Sequence, residues 1–427
     1  MEKQLYLGSR GVSLVTVLLG IIYISPLLLV VNPAFTKISS LIIIGISIFL
    51  FQSEKFYFIL PIFIFFNTDL LLPGDLSTYR VYSLLLFLKI IFSNKLKIEK
   101  AVIIQISIIL LYCALVIAYN DFKLSLLVIF DLVLIIFYIT AFIRNNISTF
   151  FTYYIFGAFT SCLYGYAMKG LNLETYVFID NQWVEVTRFV GSFIDPNYLG
   201  FFLNIAILSI IVLDIVKNKT LKIGLLIFFY ASLLSTLSIT GYFCNVVMLS
   251  IYFILQKKVN IKYFAVLVVV GLFLYTNLNV FANADYPVIS DMAKRITSKS
   301  GLDSSNDLST FTTGRSSIWM EHLAYFTQQP LINILFGGNY VTDAGRDPNF
   351  SHVSHQSYID MLLNFGLIGT LVMLFFFLRL TLHYVITYMK TNYNEFFLLV
   401  LVKFIWMFYA FGLSMFPSWT FNIFFFL

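Results

Sequence analysis

Charge is what this sequence lacks most. Of its 427 residues only 11% are Asp, Glu, Lys or Arg, against roughly 25% in a soluble chain. With 60% hydrophobic residues and 19% aromatics, too little polar surface remains to dissolve a globule. That excludes a water-soluble enzyme, a nucleic-acid-binding domain and a disordered scaffold. Cysteine is scarce as well: Cys113, Cys162 and Cys244 all fall in apolar stretches, so neither a disulfide framework nor a thiolate metal set is expected. The net charge of +6 comes from basic residues dispersed in short loops, a topological pattern rather than a nucleic-acid footprint. No internal repeat is visible.

What the chain has instead is long apolar runs. A helix needs about 20 such residues to cross the hydrocarbon core. Candidate spans are 11–31, 38–53, 56–72, 79–94, 101–119, 124–143, 149–168, 198–216, 222–238, 240–256, 263–281, 358–380 and 396–414. The expected fold class is therefore an all-α polytopic membrane protein with about 12–13 transmembrane helices. The first run is followed by Asn32-Pro33 rather than a small-residue cleavage site, so it is read as a retained span and not a signal peptide. The tail from Trp419 to Leu427 is apolar but too short to cross alone.

Lysine and arginine give sidedness. With Lys3 and Arg10 inside, the inner loops carry Lys55; Lys95, Lys97 and Lys100; Arg144; Lys217, Lys219 and Lys222; Lys257, Lys258 and Lys262; and Arg379 with Lys390. The short outer loops carry only Lys37, Arg80 and Lys123. Two longer polar segments then fall outside, 169–197 and about 282–355. This divides the chain into an N-terminal bundle (1–281), a large outer loop (282–357) and C-terminal spans (358–427). Within the loop, Trp319, Leu323 and Phe326 recur at helical spacing over 315–329 and Pro330 follows. They predict an amphipathic helix lying against the outer membrane face. The Asp/Ser/Thr-rich stretch 298–313 reads as a connector.

Charges inside spans are few. Lys89 and Lys403 are placed near inner ends, where a lysine can snorkel, and Asp69 near an outer end. Asp131 lies well inside a span, which marks either a functional carboxylate or a helix–helix hydrogen bond.

Polar residues that could carry chemistry gather on the outer side. His322, His352 and His355 sit in the large loop, while His383 lies on the inner side. Arg188 stands in Arg188-Phe-Val-Gly191-Ser-Phe-Ile-Asp195-Pro196-Asn197, which leads directly into a span. Arg315 stands in Thr313-Gly314-Arg315-Ser-Ser-Ile-Trp319. His355-Gln356 is followed after nine residues by Gly366-Leu-Ile-Gly369, at the mouth of the next span. A guanidinium matches phosphate oxygens bidentately, and a histidine at a helix mouth can accept a proton from a hydroxyl. Gly366 and Gly369 would admit a close neighbour, and Pro196 could start the following span. Each piece alone has a plainer reading, as a headgroup partner, a packing glycine or a helix start. Their placement on one side of the membrane is what favours a site for an anionic, lipid-linked substrate. Asp303, Asp307, Asp343 and Asp347 are spaced like solvated loop residues, so no metal site is expected.

At these three pieces the sequence resembles the bacterial O-antigen ligase and O-antigen/capsular polysaccharide polymerase superfamily. His355-Gln356-x9-Gly366-x-x-Gly369 fits the pattern written for the ligases. Arg188 with Gly191, and Gly314-Arg315 with Trp319, look like the family's two outer-side arginine segments. Where many relatives carry a Ser-Arg pair, this chain reads Ser238-Ile239-Thr240-Gly241, so no third arginine carries over. The resemblance implies a metal-independent, cofactor-free glycosyltransferase in the bacterial inner (cytoplasmic) membrane, its active site facing the periplasm or exterior. Arg188, Arg315 and His355 would be catalytic, with Asn197, Gln356 and Trp319 as further substrate-binding residues. The implied partners are an undecaprenyl-diphosphate-linked oligosaccharide and membrane lipid, with a chain-length regulator as a candidate and no nucleic acid. Polymerase is the first expectation, ligation to lipid A core the alternative. A lipid-linked oligosaccharide flippase is the alternative of another class, disfavoured because intramembrane charge is sparse and the polar candidates gather on one face.

Overall fold

The apolar runs that fall on described residues are helical over most of their length. The structure, a computed structural model, describes residues 6–7, 12–66, 70–74, 76–92, 107, 122–143, 146–171, 176–179, 182–185, 188–193, 195–256, 315–337, 356–411, 413 and 419–427. The expected spans 101–119 and 263–281 lie outside these residues. Three described helices are long and apolar enough to cross a membrane: Leu14–Val31, Pro196–Leu213 and Ser357–Thr391. Thr36–Phe49 and Ile239–Leu255 are shorter apolar helices, and Ile147–Gly170, Lys219–Ser235 and Asn394–Ala410 fill further expected positions. The chain is an all-α membrane protein, with three small antiparallel hairpins among the described residues, one before the first helix and two between helices.

The chain divides into two units, 1–99 with 136–236, and 100–135 with 237–427. In the first, helix starts follow the local sequence. Asp195 caps Pro196–Leu213, its Oδ1 accepting from the Asn197 amide at 2.7 Å, and Pro196 occupies the first turn, where no N–H is needed. Asn218 caps Lys219–Ser235. Between these helices, Lys222 donates to Asp214 at 2.7 Å and holds that carboxyl below the usual carboxylate range, with Lys217 adding to the effect.

The segment 54–66 shows what burial demands of irregular backbone. Glu54–Ile59 is a 3-10 helix running directly into the α-helix Leu60–Phe66. Pro61 supplies no N–H, so the carbonyl that would use it, at 57 in an α-helix or 58 in a 3-10 helix, loses its donor. Three buried tyrosines from three other helices fill the gap. Tyr82 donates to the Phe56 carbonyl at 2.9 Å, Tyr138 to Tyr57 at 2.7 Å and Tyr23 to Phe58 at 2.7 Å. Lys89 donates to the carbonyl of Phe51 and lies 5.2 Å from the centroid of the Tyr57 ring, with Phe51 and Phe56 each at 5.5 Å. The snorkelling expected of Lys89 is not seen: the residue is 8% exposed, and its ammonium is used inside the unit.

In the second unit, Ser357–Thr391 continues eleven residues beyond the expected end at 380. No glycine or proline interrupts it there, and it stops only where Asn392 adopts φ 55. Lys403, on Asn394–Ala410, also does not snorkel. It is 1% exposed and donates to the carbonyls of Phe424, at 3.3 Å, and Phe425, at the end of the helix Trp419–Phe426. The apolar tail is thereby held against a span. Asp131 is buried, as its place in the span implied, and Asp69 lies outside the described residues.

Replacing Tyr138 by Phe keeps the ring and removes only the hydroxyl, leaving the Tyr57 carbonyl buried without that donor. The expected cost is about 1–3 kcal/mol of unfolding free energy, measured by denaturation in detergent micelles. Tyr153→Phe, whose hydroxyl makes no such bond among the described residues, is the control, and equal stability of the two variants would show that the hydroxyl is not what satisfies this turn.

Candidate functional site

The Arg188 segment is wedged against Ile147–Gly170 through glycines. Gly191 has φ +61, a conformation side chains disfavour, and a Cβ on it would lie 2.8 Å from Ser161 Oγ. Across the contact, a Cβ on Gly165 would lie 2.7 Å from the Gly191 Cα. Ser192 joins the seam, its hydroxyl donating to the Phe65 carbonyl at 2.6 Å and lying 2.7 Å from Ser161 Oγ. The Phe189 ring stacks on Tyr166 at 4.4 Å. With the backbone so held, Arg188 Nε donates to the carbonyl of Thr236 at 2.8 Å, and the Phe189 amide donates to that of Ser235 at 3.2 Å. Both acceptors are at the C-terminal end of Lys219–Ser235, where carbonyls lack helical partners and the dipole favours a cation. Arg188 is therefore half-buried, with one edge of its guanidinium fixed. Asn197 lies one short turn on, its side-chain amide donating to Asp195 at 2.9 Å.

In the second unit, the expected helix forms over Arg315–Gln328, with Trp319 and Phe326 turned into the protein and Leu323 exposed. Trp319 and Phe326 pack with Ile359 and Leu363, on the first turns of Ser357–Thr391. The helix that Arg315 opens thus leans on the helix that begins just after His355-Gln356. Gln356 is the residue before that helix, in extended conformation. Ser357 anchors the start by donating to the Leu413 carbonyl at 2.6 Å, and Tyr358 donates to Met407 at 3.2 Å. Trp319 Nε1 is buried and, among the described residues, has no hydrogen-bond partner. His322 is fully buried, with Nδ1 2.8 Å from the Ile318 carbonyl, so that nitrogen carries the proton.

Sequence reasoning missed the short helix Leu331–Phe336. Pro330 marks the end of one helix in the sequence pattern, but a proline is equally at home before the start of another. The Leu-Ile-Asn-Ile-Leu-Phe run after it was the available signal. It also missed the form of Gly366, which interrupts Ser357–Thr391 with φ 62 and ψ −172. Gly369 is buried.

Of the six expected site residues, Arg188 and Asn197 belong to the first unit on one short segment. Trp319 and Gln356 belong to the second, Trp319 on the Arg315–Gln328 helix and Gln356 just before the helix it packs against, and Arg315 is the first residue of the Trp319 helix. His355 lies outside the described residues, as do His352 and Asp303, Asp307, Asp343 and Asp347. Among the described residues no cluster of His, Cys, Asp or Glu is arranged to hold a metal ion. Ser238, in the stretch that departs from the ligase/polymerase pattern, caps Ile239–Leu255 by accepting from the Gly241 amide at 3.1 Å. Comparison with family models, with curated proteins and with solved structures returns no match.

Gly165→Ala should force the Arg188 segment off its seat and cost about 1–3 kcal/mol, the range for overpacking. Gly170→Ala, with nothing within 4 Å of the added carbon, is the control on the same helix. Comparable melting of the two variants in detergent would mean that the glycine seam does not hold Arg188.

Proposed function

We propose that the chain is a polysaccharide polymerase of the O-antigen/capsule type, spanning the bacterial cytoplasmic membrane about 12–13 times with its large loop outside. It transfers an undecaprenyl-diphosphate-linked glycan onto a hydroxyl of a second lipid-linked repeat. The observation that best supports this reading is the packing of the Arg315–Gln328 helix on the first turns of Ser357–Thr391. Two of the three motif pieces, distant in sequence, thereby belong to one small assembly.

In the proposed reaction the bond between the donor's anomeric carbon and its diphosphate oxygen breaks as the acceptor oxygen attacks from the opposite face, inverting the configuration. His355 takes the hydroxyl proton. Arg315 and Arg188 are the proposed ligands of the departing diphosphate, whose growing charge they stabilise. A guanidinium whose plane is already fixed serves this role better than a freely rotating one, because less freedom is lost on binding. The Nε bond from Arg188 to Thr236 supplies such fixing. Trp319, with its buried indole N–H, and Gln356 and Asn197 are the proposed supporting polar contacts. The same groups serve a ligase, whose acceptor is lipid A core instead.

Arg315→Ala and His355→Ala should abolish long-chain polymer on a polysaccharide gel while the protein still accumulates in the membrane; normal polymer from both would remove the assignment. Arg188→Lys separates two roles, because an ammonium can still reach a carbonyl but cannot fork onto phosphate. It should keep stability and lose polymer, whereas retention of both would leave Arg188 as a helix cap alone. Activity should persist in EDTA. In a deletion strain, single repeats on the core support polymerase, bare core with polymer on carrier lipid supports ligase, and repeats trapped inside support a flippase.

A further inference from the structure

The bend at Gly366 turns the first part of Ser357–Thr391, the longest described helix, out of line with the rest. In a straight helix Tyr358 and Phe377 would stand about 28 Å apart at 1.5 Å per residue. Both rings instead lie against Trp406, at 6.4 and 5.4 Å between centroids. The half-helix 357–365 therefore turns toward Asn394–Ala410, consistent with the Ser357 and Tyr358 bonds to Leu413 and Met407. The bend itself is a backbone-on-backbone contact. A Cβ on Gly366 would fall on the amide nitrogen of Gly337 and 2.5 Å from the Leu335 carbonyl; one on Gly337 would fall on the Asn364 carbonyl oxygen and 2.8 Å from the Phe365 nitrogen. Gly337 has φ +89 and ψ 164, and Gly366 φ +62 and ψ −172. Both lie in a region of backbone space essentially confined to glycine. Ile334, on the short helix between Pro330 and Gly337, packs into the cluster of Phe326, Ile359 and Leu363.

We infer that the segment 331–337 is a strap that seats on the Gly366 bend and sets the angle of the half-helix, making Gly337 and Gly366 positioning residues for the helix start at Gln356. The seating excludes any side chain at either glycine. Adding one lifts the strap and opens the bend, and the far end of the half-helix, about two and a half turns away at 3.6 residues per turn, swings off Leu413. The consequence for product rests on the reading of His355-Gln356 given above; the geometry does not.

Disulfide trapping tests the two ends separately, in the full-length protein in membranes with Cys113, Cys162 and Cys244 replaced by Ala. The pair Ile334→Cys with Leu363→Cys reports the seated strap, and Ser357→Cys with Leu413→Cys reports the far end. Both pairs should cross-link under mild oxidation with glycine at 337 and 366. Adding Gly337→Ala should abolish both cross-links, and Gly366→Ala likewise, while Gly224→Ala, which has open space for its Cβ, should leave both intact. If Gly337→Ala releases the strap pair but the Ser357/Leu413 pair still closes in full, the strap does not set the bend and the inference fails. Equal trapping in all backgrounds also overturns it. Polymer is scored in the same strains without the added cysteines. Loss of both cross-links with undiminished polymer supports the strap and counts against Gln356 in the reaction, so the two readings fail on different measurements.

Discussion

A carbonyl without a helical amide has no water to turn to inside a bilayer, and leaving it bare costs several kcal/mol. Much of the polar chemistry of this chain is an answer to that constraint. Helices here are interrupted repeatedly, at Pro61, at Thr236 and at the end of Trp419–Phe426, and at each break a long side chain from another element delivers a donor. Tyr23, Tyr82 and Tyr138 serve the 3-10 turn, Lys89 serves Phe51, Arg188 serves Thr236, Lys403 serves Phe424 and Phe425, and Tyr384 serves Leu427. A composition rich in Tyr and poor in charge suits this task. The phenol brings one donor on a large apolar body, with no ion to desolvate.

Glycine solves the complementary problem, where two backbones must meet with no side chain between them. The Gly165–Gly191 and Gly337–Gly366 contacts each join a loop segment to a long helix at van der Waals distance. Each also lies beside one of the arginine or histidine motifs. Small residues let membrane helices approach closely, but here they dock non-helical backbone, which is tolerated at depth only when buried in protein. Gly191 and Gly337 thus key their described segments onto the neighbouring helices.

The helices were legible because run length is a direct reading of the solvent: twenty apolar residues have few other uses. The strap and the bend were not. Gly366 in an apolar run reads as a packing glycine, since sequence does not reveal the sign of φ, and Gly337 acquires meaning only once its partner is known. Lys89 and Lys403 read as snorkelling because each falls near the end of a run; their burial depends on carbonyls exposed by breaks in other elements. The amphipathic side of Arg315–Gln328 was correctly periodic, yet periodicity names an apolar face without naming what covers it. Pro61 was the one available hint of an irregular turn, and a single proline does not say which tyrosines will answer it.

Arg188 shows why a structural role and a functional one need not compete. A helix C-terminus offers a concentrated negative end that holds a guanidinium by one edge. Holding it there restricts the side chain's rotamers in advance of any ligand, and an arginine presents its N–H donors in a rigid planar array. A cap built from lysine or tyrosine would satisfy Thr236 equally well but has no planar guanidinium. Choosing arginine at a position where a simpler donor would satisfy the backbone is the physical feature that sets Arg188 apart from the tyrosine and lysine caps elsewhere in the chain.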